Sequence, residues 1–171
     1  RNPSRSPPMN ALPMILAMLL SNSPPAPPPP ACESPEHRQF DFWVGDWNVT
    51  MGGKPAGTNL ITVEEEGCLL HEHWVGSKGG TGQSFNFVDQ ASGEWTQVWV
   101  DSQGGSLHLT GRLTGNQLQF TGMAPGSDGK PAHQRLTFTR NADGTVRQLW
   151  ESSADGQAWT TVFDGLYRKK S

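Results

Sequence analysis

The chain has 171 residues, a formal net charge of −3 and a hydrophobic fraction of 34%, which is the composition of one globular domain. The negative charge argues against a nucleic-acid partner, because binding through phosphates requires a basic surface. The hydrophobic fraction and the low share of charged residues, 17%, exclude both a membrane protein built of spanning helices and a chain disordered throughout.

The first 31 residues differ in composition from the rest. Arg1 and Arg5 precede a short apolar run, ALPMILAMLL (11–20), and small residues and prolines follow it. This order is typical of a secretory signal peptide, and the run is too short for a bilayer span, which needs about 20 residues. The proline run is expected to form a stiff tether. We therefore predict a signal peptide and tether over 1–31, export to the periplasm or the outside of the cell, and no transmembrane span.

The two cysteines, Cys32 and Cys68, allow two interpretations. An even count in an exported protein favours a disulfide, which would stabilise the fold by about 4 kcal/mol through loop closure. Alternatively, Cys32 carries a lipid after signal cleavage, since the small Ala31 precedes it. That alternative lacks an aliphatic residue at the third position before the cysteine and leaves Cys68 unpaired. The disulfide is the favoured interpretation.

From residue 45 onward, short strand patterns alternate with turn patterns. The segments have period-2 alternation, recur about every ten to twelve residues and include no convincing helix. They are 46–51, 59–66, 68–76, 83–89, 95–102, 106–113, 117–123, 133–140, 145–152 and 158–169. An antiparallel meander of this size hides its edges best by closing into a barrel. We predict an all-β, up-and-down barrel of about ten strands over 32–171, since an immunoglobulin-like sandwich would need longer crossovers and a Cys–Trp–Cys pattern.

The aromatic cluster FDFWVGDW lies directly before the first strand. Phe40, Phe42 and Trp43 are predicted to cover one open end of the barrel. Gly45 lets the chain turn sharply, and Trp47 begins the wall.

A set of motifs runs in order through residues 32–169: SPEHRQFDFWVGDWNV, EGC, NF-D-ASG-W-QVWVDS-GG and QLWE-S-DG--W---FDGLYR. Within the first, Gly45-Asp46-Trp47 matches the G-x-W that opens the first strand of lipocalins. Together the motifs resemble a bacterial family of exported lipocalin-like domains for which no reaction is established. The resemblance implies a lipocalin-like barrel of about eight to ten strands, and fold analogy alone suggests small-molecule binding.

Two further expectations come from related barrels. Haem-binding nitrobindins have a similar opening, but their glycine-rich continuation is absent here and the last histidine is His133, so no cofactor is expected. In lipocalins, an arginine near the end of the chain often covers the tryptophan of the G-x-W motif. The resemblance therefore implies that Arg168 covers Trp47 in a cation–π contact of roughly 0.5–2 kcal/mol.

Strand faces that combine tryptophan with amides are the main candidate site. If these faces point inward, the lumen is amphipathic and could stack a flat or acyl ligand while binding its polar end. The predicted lining residues are Trp74, Asn86, Gln97, Trp99, Gln148 and Trp150. A filled lumen, in which the tryptophans only pack the barrel, is an equally weighted alternative to a ligand pocket. A register shift of one residue would replace the predicted lining residues with their neighbours. The favoured function is a carrier of a small, partly hydrophobic ligand in the cell envelope.

Other functions depend on histidines and acids. His71 and His73 share one face of a strand, and His108 could add a third ligand, which is a weak zinc alternative to ordinary wall histidines. An enzyme could use Glu72, His73 and His108 as acid–base or metal groups. A module that packs against other chains, with a filled barrel, is a third class. No catalytic residue or metal is predicted, and the sequence does not indicate the oligomeric state.

Overall fold

Ten antiparallel strands form a closed barrel in a computed structural model that describes residues 32–171. Each strand pairs with its neighbours along the chain, and the first pairs with the last. The strands are β1 (Gly45–Met51), β2 (Lys54–Glu64), β3 (Leu69–Gly76), β4 (Thr81–Val88), β5 (Trp95–Asp101), β6 (Ser106–Thr114), β7 (Gln117–Pro125), β8 (Pro131–Arg140), β9 (Val146–Ser153) and β10 (Thr160–Lys169). The predicted all-β up-and-down barrel is confirmed.

The predicted signal peptide and tether, residues 1–31, lie outside the described residues. Among the helices of residues 32–171, none has the length and apolar character needed to cross a membrane. Those helices are three short 3₁₀ turns: Pro35–Arg38, Asp41–Trp43 and Glu65–Gly67.

The strands form where apolar and polar residues alternate, and the alternation matches burial. In β7, for example, Leu118 and Phe120 are buried while their neighbours are exposed. The largest departure from prediction is β2, which begins at Lys54 instead of residue 59. Pro55 is a residue typical of turns, yet it pairs with Thr50 of β1 next to a bulge. A bulge at a strand end tolerates proline, which cannot donate a ladder hydrogen bond.

The end of the barrel where β1 begins is closed by aromatic side chains. Phe40 and Trp43, on the turn before β1, are fully buried and stack with their ring centroids 4.7 Å apart. Phe40 also meets Phe138 of β8 at 4.9 Å, edge to face. We call the buried aromatic side chains of this turn, Phe40 and Trp43, the plug. The Trp47 indole Nε1 donates a hydrogen bond to the Trp43 carbonyl at 2.8 Å, which connects the plug to the barrel wall. The half of the barrel next to the plug is therefore filled.

The predicted contact between Arg168 and Trp47 is wrong. In the register between β1 and β10, Trp47 pairs with Lys169, and Arg168 pairs with Asn48. The Lys169 ammonium lies 5.4 Å from the centroid of the Trp47 ring and makes the cation–π contact. Because successive residues of a strand point to opposite faces, a shift of one position moves Arg168 to the exposed outer surface.

A disulfide between Cys32 and Cys68 anchors the plug, as the cysteine count predicts. It joins the start of the described chain to the residue that follows the Glu65–Gly67 turn. The Arg38 guanidinium strengthens the same connection by donating to the carbonyls of Gly67 and Cys32. A cysteine held in a disulfide has no free thiol to carry a lipid.

Candidate functional site

The half of the lumen farther from the plug contains a cavity of about 210 Å³. An engineered apolar cavity of about 150 Å³ holds benzene, and pockets for drug-sized ligands measure roughly 300–1,000 Å³. The space therefore suits a molecule of one or two rings, or of similar bulk. The cavity is lined by Glu72, Trp74, Gln97, Trp99, Leu107, Leu136, Gln148, Trp150, Val162, Phe163 and Tyr167.

About half of this lining could be predicted from the sequence. Five of the six predicted residues line the cavity: Trp74, Gln97, Trp99, Gln148 and Trp150. Asn86 is fully buried on the inward face of β4 but is not part of the cavity lining, and its Oδ1 accepts a hydrogen bond from Gln97 Nε2 at 2.7 Å. It orients Gln97 and does not line the cavity. Glu72 and Tyr167, which the predicted lining omits, are the two ionisable groups of the lining.

Glycines beneath the aromatic rings keep the cavity open. The ring-over-glycine pairs are Trp74 with Gly57, Trp99 with Gly82, and Phe163 with Gly165. A Cβ added at Gly82 would overlap the six-membered part of the Trp99 indole, so the ring lies directly against the strand backbone. Glycine in a strand marks such close approaches, and the aromatic ring covers the exposed backbone in return. The rings therefore form walls and do not fill the lumen.

A hydrogen-bonded polar group forms the floor of the cavity. Asn59 Nδ2 donates to Glu72 Oε1 at 2.7 Å, and the Ser84 hydroxyl donates to Glu72 Oε2. Tyr167 accepts from Asn59 Nδ2 at 3.2 Å and donates its own hydroxyl proton to Gln148 Oε1. These contacts connect β4, β3 and β2 with β10 and β9 across the seam where β1 closes the barrel. These hydrogen bonds hold the groups of the floor in place, although Asn59 Oδ1 is buried without a hydrogen-bond partner among the described residues.

The floor contains a carboxyl group that titrates near neutral pH. Burial raises the pKa of Glu72 from 4.5 to about 7, although the hydrogen bonds from Ser84 and Asn59 lower it. Burial, and then the charge of Glu72, raise the pKa of Tyr167 well above its usual value. Glu72 therefore exchanges its proton in the physiological range while Tyr167 stays neutral.

This shifted pKa predicts a pH dependence of stability that Glu72→Gln should remove. Between pH 4.5 and 7 the folded protein keeps a proton that the unfolded chain releases. The stabilisation is complete below pH 4.5 and is lost as the pH rises through 7, by roughly 3 kcal/mol in all. Urea unfolding measured at half-unit pH steps should show this decline in wild type and a flatter curve in Glu72→Gln. Parallel curves for the two proteins would contradict the assignment.

At the rim, the indole N–H groups of Trp99 and Trp150 are engaged in hydrogen bonds. Trp99 Nε1 donates to Asp101 Oδ2 at 3.2 Å, and Trp150 Nε1 donates to Gln134 Oε1 at 2.8 Å. Partial burial would raise the pKa of Asp101, but hydrogen bonds from the backbone of Gly105 and Gln103 and from Trp99 outweigh it, so the pKa lies below its usual value. The tryptophans thus offer ring surface to the cavity, beside an ionised carboxylate.

The histidines named for the zinc alternative do not form a ligand set. His71 contacts Glu64 Oε1 at 3.1 Å and Gln83 Oε1 at 2.8 Å through its two ring nitrogens, on the outer surface. His73 and His108 are exposed, and two strands separate β3 from β6, about 14 Å at the usual strand spacing. Within residues 32–171 no group of three or more histidine, cysteine or acidic side chains is arranged to hold a metal ion.

The enzyme alternative built on Glu72, His73 and His108 is divided by the barrel wall. Glu72 is buried in the lumen, whereas His73 and His108 are exposed on the outer surface. Residues adjacent in a strand point to opposite faces, so Glu72 and His73 cannot act on one bound molecule. The inward partner of Glu72 on β3 is Trp74, and their shared face is the sequence signal that identifies Glu72 as a lumen residue.

The fold and the cavity define a lipocalin-like, closed antiparallel barrel with a small site in its lumen. No protein-family model matches the chain, and no curated protein matches it either. The family resemblance drawn from the motifs in residues 32–169 therefore stays a prediction.

Proposed function

We propose that the protein binds and carries a small, partly apolar ligand in the cell envelope. The observation that carries the proposal is the cavity of about 210 Å³, with aromatic walls and a single hydrogen-bonded polar floor. Ligand sites are usually concave and mostly apolar, with a few fixed polar groups that orient the ligand. The lumen has each of these properties.

The division of the lumen supports binding over a purely structural role. The plug half is filled by side chains such as Phe40, Phe120 and Phe138, and it accounts for much of the core. The other half contains three large aromatic rings packed against glycines, an arrangement that leaves space unfilled. A barrel that needed only stability would gain by filling that space, because buried cavities destabilise a fold.

Export and membership of the lipocalin-like family belong to the same proposal. The disulfide between Cys32 and Cys68 supports export, because disulfides persist in oxidising compartments. The G-x-W motif at Gly45–Trp47 supports the family, since it opens the first strand of the barrel here as it does in lipocalins.

Gly82→Ala should close the site. The three atoms nearest to the added methyl all belong to the Trp99 ring, and the methyl would overlap them. The ring must therefore move into the lumen. Indole, a flat neutral molecule with one polar N–H, is a suitable probe. We expect saturable binding of indole to wild type by ligand-detected NMR, and affinity at least about tenfold weaker in Gly82→Ala.

Gly126→Ala is the matched control for this experiment. Gly126 lies in the loop between β7 and β8, where an added Cβ would be 3.2 Å from the Cβ of Ala132 and would not meet the cavity lining. It should bind indole as wild type does. Equal indole affinity in wild type and Gly82→Ala would contradict the lumen as the binding site.

A further inference from the structure

The ionisable groups around the cavity are acidic. Glu72 and Tyr167 line it, Asp101 lies at its rim, and none of the described lining residues is lysine, arginine or histidine. An anionic ligand, such as a fatty-acid carboxylate, would bring a second negative charge into a space with no positive partner. Burying an unpaired charge in this way is unfavourable. The charge pattern therefore favours neutral or positively charged ligands.

The walls provide the complementary feature. Trp74, Trp99, Trp150 and Phe163 surround the space above Glu72, and the Trp74 and Phe163 rings meet edge to face with centroids 5.9 Å apart. Because the N–H groups of Trp99 and Trp150 are bonded at the rim, the rings offer carbon surface to the lumen. The faces of aromatic rings attract cations, and cages of such rings recognise quaternary ammonium groups.

We infer that the ligand carried in this lumen is a small organic cation of the substituted or quaternary ammonium class. Its charged end lies against the Glu72 carboxylate, surrounded by the side chains of Trp74, Trp99, Trp150 and Phe163. This inference rests on the proposed carrier function and specifies the chemistry of its ligand.

The carboxylate is placed to receive such a group. Each Glu72 oxygen accepts one hydrogen bond, from Asn59 or from Ser84, and an ionised carboxylate has about four acceptor positions. A substituted ammonium donates an N–H to one of the remaining positions, whereas a quaternary ammonium, which has no N–H, is held by charge attraction. The cavity of about 210 Å³ has room for a trimethylammonium head with a short tail. A long-chain amphiphile would extend beyond the rim.

Binding of a cation should depend on the protonation of Glu72. The groups that face it are Asn59 from β2, Ser84 from β4 and Tyr167 from β10, while His71 on its own strand points outward. Tyr167 stays neutral, so Glu72 is the group that changes charge near pH 7. A cation binds the ionised form, so its affinity should rise about tenfold per pH unit below pH 7 and level off above it.

Three molecules of one shape and different charge test the inference by isothermal titration of the full chain. They are (2-hydroxyethyl)trimethylammonium, the neutral 3,3-dimethylbutan-1-ol and the anionic 3,3-dimethylbutanoate. At pH 8 the cation should bind at least about tenfold more tightly than the alcohol, and the anion should not bind measurably. Glu72→Gln should lose most of this preference for the cation and keep only the part that the aromatic rings supply. Cation binding at pH 6.5, compared in buffers of different ionisation enthalpy, should release a proton.

Every outcome decides between the two proposals. If the alcohol or the anion binds as tightly as the cation, or if no proton is released, the inference of a cation held against Glu72 is overturned and the carrier function stands. If indole binds and none of the three molecules does, the inference is equally overturned. If neither indole nor any of the three binds, both proposals fail. The proton release is measured on wild type, so the test holds even if Glu72→Gln does not fold.

Discussion

Phe40→Ala should lower the free energy of unfolding by about 3–5 kcal/mol. The Phe40 ring is fully buried and contacts five aromatic rings, on the plug turn and on β5, β7 and β8. Its removal leaves a cavity that rigid barrel walls cannot fill by relaxation. Urea unfolding followed by circular dichroism measures the loss directly.

Phe85→Ala is the matched control, because it removes the same side chain from the outer surface of β4. The Phe85 side chain is 50% exposed, so its loss should cost less than about 1 kcal/mol. Losses of equal size in the two variants would contradict the role of Phe40 as the centre of the plug.

Replacing both cysteines, as Cys32→Ser/Cys68→Ser, should destabilise the protein by about 4 kcal/mol. The disulfide links residues separated by 36 positions in sequence, and its loss gives that loop back its freedom in the unfolded chain. The comparison is the urea midpoint of wild type against that of the double variant.

The same variant separates the anchor from the site. Cys32 and Cys68 lie at the plug end, away from the cavity lining, so indole affinity should stay at the wild-type value wherever the variant is folded. An unchanged urea midpoint would show that the plug holds without the disulfide and would contradict its assignment as an anchor.

The fold could be predicted from the sequence because burial in a barrel alternates with the strand period. Gln97 and Trp99 share the inward face, and Val98 between them is exposed, as the pattern indicates. The pairing register of β1 and β10 is set by contacts between strands far apart in sequence. The alternation of apolar and polar residues does not determine that register. That is why Lys169 takes the place expected of Arg168 over Trp47.

The site could be predicted in part for the same reason. The tryptophan and amide residues of the lining can be recognised from the sequence, but the floor depends on contacts between strands that are far apart in sequence. Asn59 and Tyr167 are 108 residues apart in sequence and meet only once the barrel closes. Glycines beneath the rings were also missed, because an isolated glycine such as Gly82 weakens a strand pattern and carries no sign of the ring that covers it.

Native mass spectrometry of wild type and Gly82→Ala, each purified from the protein's own host, tests the lumen site most directly. We expect wild type to carry one small non-covalent adduct and Gly82→Ala to lack it, since the displaced Trp99 ring occupies the cavity. The mass of the adduct would also identify the ligand class. Wild type without an adduct, or an adduct kept at equal occupancy in Gly82→Ala, would contradict a ligand carried in the lumen.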